Sequence, residues 1–144
     1  MSARDEIEFP AQIRVVRWDE PMSEAIVFPV HHPYVESLWL PVIGPSATWM
    51  LRRLSAWATA CPDGVDVALV ELSGSLGLGW ASGRTSSVQR TLRRLVMFGL
   101  ARWTDELAVR TMVPPLSPRQ LTRLAPGLVR VHDRMVATRV DAAV

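Results

Sequence analysis

The chain has 144 residues, sixteen arginines and no lysine against fourteen acids, a formal net charge of +2, and 49% hydrophobic residues that include six tryptophans. A chain of that length buries roughly two-thirds of its unfolded surface, enough for one core without staples, and its apolar content argues against a disordered or fibrous class. The single cysteine, Cys61, excludes an internal disulfide or a thiolate cluster, and no apolar run of about 18 residues is present to span a membrane. The acidic start MSARDEIEFP has the pattern of neither a secretory signal nor a transit peptide, so a cytoplasmic protein without a membrane partner is expected. Exclusive use of arginine is what GC-rich coding produces.

The charge is unevenly spread. Residues 1–44 hold three arginines against seven acids, whereas residues 84–110 hold six arginines against Asp105 and Glu106 alone. This pattern predicts an acidic half facing water or another protein and a basic half facing a polyanion.

In chain order, the first ten or so residues lack periodicity and read as a loose tail. Ile13–Trp18 and Ala25–Val30 are apolar, β-branched runs about the turn residues Asp19 to Ser23, a candidate hairpin. His32-Pro33 opens a short helix that Pro41 is expected to stop, because the residue before proline avoids helical angles. After Gly44-Pro45-Ser46 comes a helical stripe of Ala47, Met50, Leu51, Leu54, Trp57 and Ala58. Pro62-Asp63-Gly64 is a turn, and Val65–Leu76 is read as a second helix leading to a glycine-rich connection, Leu76 to Gly83. Arg84–Phe98 is a third helix closed by Gly99, the residue suited to the left-handed position past a helix end. Leu100–Thr104 and Leu107–Val113 are strands about Asp105-Glu106. Ser117-Pro118 caps a last helical segment with a break at Pro126-Gly127, and Gly127–Thr138 carries an apolar stripe that suits equally pairing with a second copy of the chain and packing back on the same domain.

On the third helix, Val88, Leu92, Leu95 and Val96 fall within one third of the circumference, while Ser86, Ser87, Arg90, Arg93 and Arg94 fall opposite. Guanidinium groups pair bidentately with phosphate or with guanine edges, and short hydroxyls donate to phosphate oxygens. The bland alternative is a solvated helix face in a lysine-free protein. Three arginines without an acid favour nucleic acid.

The succession helix, helix, turn, helix, strand, tight turn, strand over residues 46–113 resembles the winged helix-turn-helix family across about half the chain. The matching stretches are Leu69-Val70-Glu71-Leu72-Ser73-Gly74-Ser75-Leu76-Gly77-Leu78, Ser86-Ser87-Val88-Gln89-Arg90-Thr91-Leu92-Arg93-Arg94-Leu95, and Phe98-Gly99-Leu100-Ala101-Arg102-Trp103. The resemblance implies that the third helix enters the major groove of double-stranded DNA and that the following hairpin is the wing. Arg84, Ser86, Ser87, Gln89, Arg90, Arg93, Arg94, Arg102 and Arg110 are then the candidate DNA-binding residues. The long, glycine-rich turn departs from the family pattern, and Asp105 and Glu106 at the wing tip would repel phosphates. Upstream, the segment from Tyr34 to Ala47 resembles the opening of winged-helix domains in bacterial replication-initiation and helicase-loading proteins.

Other chemistry is poorly supported. His31 and His32 point apart and lack a third ligand, His132 falls on the apolar face of the last helix, and the glycines have neither a dinucleotide-loop order nor a phosphate-loop lysine. Trp39, Trp49 and Trp57 read as core, and Trp80 as a candidate partner anchor. No metal, cofactor or catalytic set is nominated, and an enzyme is not expected. The expectation is a mainly α winged-helix fold with a small hairpin, divided into an acidic extension (1–44), a winged-helix domain (45–116) and a C-terminal helical segment (117–144). The expected function is a homodimeric transcriptional regulator binding duplex DNA. The alternative is a winged-helix protein adaptor in bacterial replication or transcription, with the acidic extension as a further protein-binding surface.

Overall fold

A computed structural model describes residues 7–142. In chain order its elements are β1 (Gln12–Arg17), β2 (Phe28–Pro29), a π-helical turn (Val35–Trp39), α1 (Leu40–Ile43), α2 (Pro45–Ala60), β3 (Val65–Ala68), α3 (Leu69–Ser75), α4 (Ser87–Met97), β4 (Ala101–Trp103), β5 (Leu107–Val109), β6 (Met112–Val113), α5 (Pro118–Leu121) and α6 (Pro126–Ala142). Among the described residues this is a mixed α/β fold of six α-helices, a four-stranded sheet and a two-stranded sheet. The four-stranded sheet is therefore larger than either of the two hairpins expected from the sequence. No helix of the described residues is long and apolar enough to cross a membrane.

Alternation in Gln12–Arg17 turns Ile13 and Val15 into the core, and β1 is hydrogen-bonded along both edges. It pairs antiparallel with β3, Ile13 opposite Val67, and parallel with β5, Val15 opposite Leu107. β4 completes the order β3-β1-β5-β4. β2 instead pairs with β6, Phe28 opposite Val113. The expected hairpin of Ile13–Trp18 with Ala25–Val30 does not form, because both edges of β1 are already taken by distant strands. Of the loose tail expected at the start, residues 1–6 lie outside the described residues, and Phe9 is buried.

Two helix boundaries also differ from expectation. Val65–Leu76 begins as a strand, since β-branched Val65 and Val67 find an open ladder along β1, and turns helical only at Leu69. Pro41 does not end the preceding helix. A π-helical turn, in which the Leu40 N–H donates to Val35 O, widens the backbone just before it, so the missing proline N–H falls at the start of α1.

α2 packs against β1, β5 and α4 through Ala47, Met50, Leu51, Leu54 and Ala58, the stripe expected from the sequence. Trp49 was expected in the core but lies roughly opposite this stripe and is 54% exposed, with the Arg52 guanidinium 5.8 Å from its ring centre. Trp39 is buried and Trp57 partly so.

α6 packs back on its own chain through Leu128, Val131, Met135 and Val136. Its anchor is polar. The Tyr34 hydroxyl accepts from Leu116 N at 2.8 Å and lies 2.8 Å from His132 Nδ1, leaving its own proton to donate there. Phe28 stacks on the Tyr34 ring at 4.0 Å. Burial raises the Tyr34 pKa from 10.0 to about 12. The folded state holds this proton more tightly than the unfolded chain. Its stabilisation is therefore full below pH 10 and is lost as pH rises towards about 12. Tyr34 is the only tyrosine, so the phenolate absorbance band reports it directly. The native protein should develop that band together with loss of structure, well above the pH at which the urea-unfolded chain does. Tyr34→Phe should lower stability by about 1–3 kcal/mol in urea denaturation, because Leu116 N–H and His132 lose their partner.

Candidate functional site

α4 begins at Ser87, later than the expected Arg84, because Ser86 supplies the N-cap and its hydroxyl accepts from Gln89 N. Gly99, at φ 72°, takes the left-handed position beyond the helix end. Val88, Leu92, Leu95 and Val96 are buried, as the helical periodicity predicts, and Arg90 and Arg94 are exposed on the other side.

Not every residue assigned to the outer face lies there. Ser86 is 7% exposed and spent on the cap, and Gln89 is 6% exposed. The Gln89 carboxamide clamps Phe9: its Oε1 accepts from Phe9 N at 2.8 Å and its Nε2 donates to Phe9 O at 2.7 Å. Phe9 in turn meets Trp103 edge to face at 5.0 Å. These two candidates therefore face inward. Arg93 is half-buried, donating to Ile7 O at 3.1 Å and to Arg84 O. Ser87 is half-buried at the first turn, and Arg84 is exposed in the loop before it.

The two strand arginines form a separate cluster. Arg102 pairs with Glu20 Oε2 at 3.2 Å, and Trp18 Nε1 donates to the same oxygen at 3.0 Å. Both guanidiniums lie over the Trp18 ring, at 4.9 Å for Arg102 and 3.7 Å for Arg110, and Arg110 donates to Glu20 O. The Trp18 hydrogen bond, aided by the two arginine charges, holds the Glu20 carboxyl below its usual range. Arg102 and Arg110 thus hold the 18–20 segment against the hairpin, an internal role that the sequence reading missed. Trp18 and Glu20 lie more than 80 residues away in sequence, with no local pattern to reveal the contact.

What remains outward is a set of exposed arginines, Arg84 in the loop before α4 and Arg90 and Arg94 on the helix. The side chains of Arg84 and Arg90 make no hydrogen bond or ion pair among the described residues. Arg94 uses Nη1 to donate to Ile43 O at 3.1 Å and is otherwise exposed. No acid occurs between Gly83 and Thr104. Trp80, in the connection from α3, is 51% exposed. Among the described residues no three His, Cys, Asp or Glu side chains converge as metal ligands, and His32 Nδ1 accepts from Tyr34 N. Compared with protein-family models, curated proteins and solved structures, the chain matches none.

Gln89→Ala tests whether this glutamine is structural. Losing both bonds would strand the Phe9 N–H and C=O at a buried position, so stability should fall by about 2–4 kcal/mol in denaturant titrations. A variant as stable as the parent would show that the clamp contributes nothing.

Proposed function

We propose that the chain is a winged-helix protein that binds double-stranded DNA in the cytoplasm, as a transcriptional regulator, and that α4 presents its outer face to the duplex. The observation that carries this reading is that the guanidiniums of Arg84, in the loop before α4, and of Arg90, on α4 with Arg94, are exposed and without a partner among the described residues, in a stretch of chain without an acid. Unpaired cations on one face meet polyphosphate by releasing its counterions. The order α2, β3, α3, α4, β4, β5 also supports it, being the order of helices and strands in winged-helix domains. A departure is β1, which separates β3 from the hairpin.

The proposed surface is narrower than the sequence suggested. It comprises Arg84, Ser87, Arg90 and Arg94, with Arg93 at its edge. Arg102 and Arg110 are committed to Glu20 and Trp18, and the hairpin tip carries exposed Asp105 and Glu106, so the wing is held off the backbone in this reading. Two half-sites on a duplex would bring two copies of the chain together, through a surface other than the α6 stripe. The second reading, a protein adaptor, is favoured by exposed Trp49 and Trp80, since surface tryptophans often anchor partners.

If Arg84 and Arg90 each neutralise one phosphate, the double alanine variant should flatten the slope of log affinity against log salt by about 1.8. Both side chains lack partners among the described residues, so melting should be unchanged. Equal slopes for parent and variant would leave the adaptor reading in front.

A further inference from the structure

Between the α1–α2 junction and α4 lies an open cleft of about 250 Å³, lined by Gly44, Ser46, Ala47, Ser87, Arg90 and Arg94 among others. We infer that this cleft is a discrete seat for a phosphoryl group, gripped by Arg90 and Arg94, by the hydroxyls of Ser46 and Ser87 and by backbone N–H donors of the first turn of α2.

Two guanidiniums one turn apart line the cleft and no carboxylate does. Arg90 is unpartnered among the described residues, so its charge is available without breaking an existing bond. Arg94 is held in position by its bond to Ile43 O, which uses one Nη and leaves its other donors uncommitted.

Uncommitted hydroxyl and backbone donors line the same cleft. The Ser46 and Ser87 hydroxyls make no hydrogen bond among the described residues, whereas the Thr91 hydroxyl is spent on Ser87 O. Gly44 offers no side-chain cap to α2, and the first turn of α2 contains no acid. The N–H groups of Ser46 and Ala47, which no intrahelical carbonyl accepts, therefore remain as donors along the same wall. Gly44 has φ 87°, and a Cβ there would lie 3.3 Å from Arg94 Nη1, a tight contact against the end of that side chain. Donors converging from two helices suit an acceptor with several diverging oxygens, which a phosphoryl group supplies, and guanidinium groups pair with two of its oxygens at once. Its source is either the backbone of a duplex or a free phosphate-bearing molecule. The inference lies on the α4 face of the DNA proposal and does not depend on it.

The test uses the full chain, Arg90→Ala and Ser46→Asp. Aspartate in the first turn of a helix is favourable to the helix and fills the seat with negative charge, so Ser46→Asp should melt at or above the parent temperature. Inorganic phosphate should raise parent Tm over chloride of equal ionic strength, in proportion to the logarithm of its concentration once above the dissociation constant, and by roughly 4 °C at ten times that constant. Both variants should lose that response. No response in the parent, or equal responses in all three proteins, would overturn the inference. A random duplex supplies the second arm. A tenfold or greater loss of duplex affinity in Ser46→Asp, alongside a lost phosphate response, identifies the DNA backbone as the source. Unchanged duplex affinity with a lost phosphate response identifies a free phosphate-bearing molecule. A parent that responds to phosphate but binds no duplex would remove the DNA reading and leave the seat standing.

Discussion

The constraint on which the rest depends is that β1 is an interior strand. Its two edges are bonded to β3 and β5, which lie about 50 and 90 residues away, so the sheet cannot be completed until the N-terminal segment is in register. Parallel pairing with β5 requires a long crossover, and α2, β3, α3, α4 and β4 all lie within it. Long-range contacts of this kind close late and stabilise cooperatively. The Gln89 clamp on Phe9 extends the constraint to α4, fixing the helix against the segment that enters β1.

That arrangement has a direct consequence for the cationic face. Arginines tied to backbone carbonyls, Arg93 to Ile7 and Arg94 to Ile43, orient α4 relative to the N-terminal segment and to the α1–α2 junction. Arg102 and Arg110 do comparable work around Trp18. An arginine-only protein thus uses the same side chain both as a structural tie and as an outward charge. The carbonyl or ring beside each one separates the two uses, and this is why Arg84 and Arg90 stand out.

Local patterns were readable where neighbours in sequence decide the structure. The apolar stripes of α2 and α4, the Gly99 terminus and the Ser117 cap depend on contacts within one or two turns and were legible. Ser117 forms the full capping box with Gln120. The pairing of β1 was not legible, because its alternation suits a hairpin and an interior strand equally and only distant partners decide between them. Gln89 was misplaced for the same reason: a polar residue at the margin of an apolar face belongs to either side until a buried backbone claims it. Pro41 was misread because proline usually ends a helix, and the π-helical turn that tolerates it leaves no sequence mark. For the site, the exposure of Arg90 and Arg94 followed from periodicity, whereas the capture of Arg102 and Arg110 by Glu20 and Trp18 did not.

The central claim is that the face around Arg84, Ser87, Arg90 and Arg94 meets the duplex. The most direct measurement is a map of amide chemical-shift changes on titration with duplex DNA at moderate salt. The account predicts changes concentrated from Arg84 to Arg94 and at Ser46 and Ala47, with Thr104 to Glu106 unmoved. Changes centred on Trp49 and Trp80, on the acidic hairpin tip, or nowhere would contradict it.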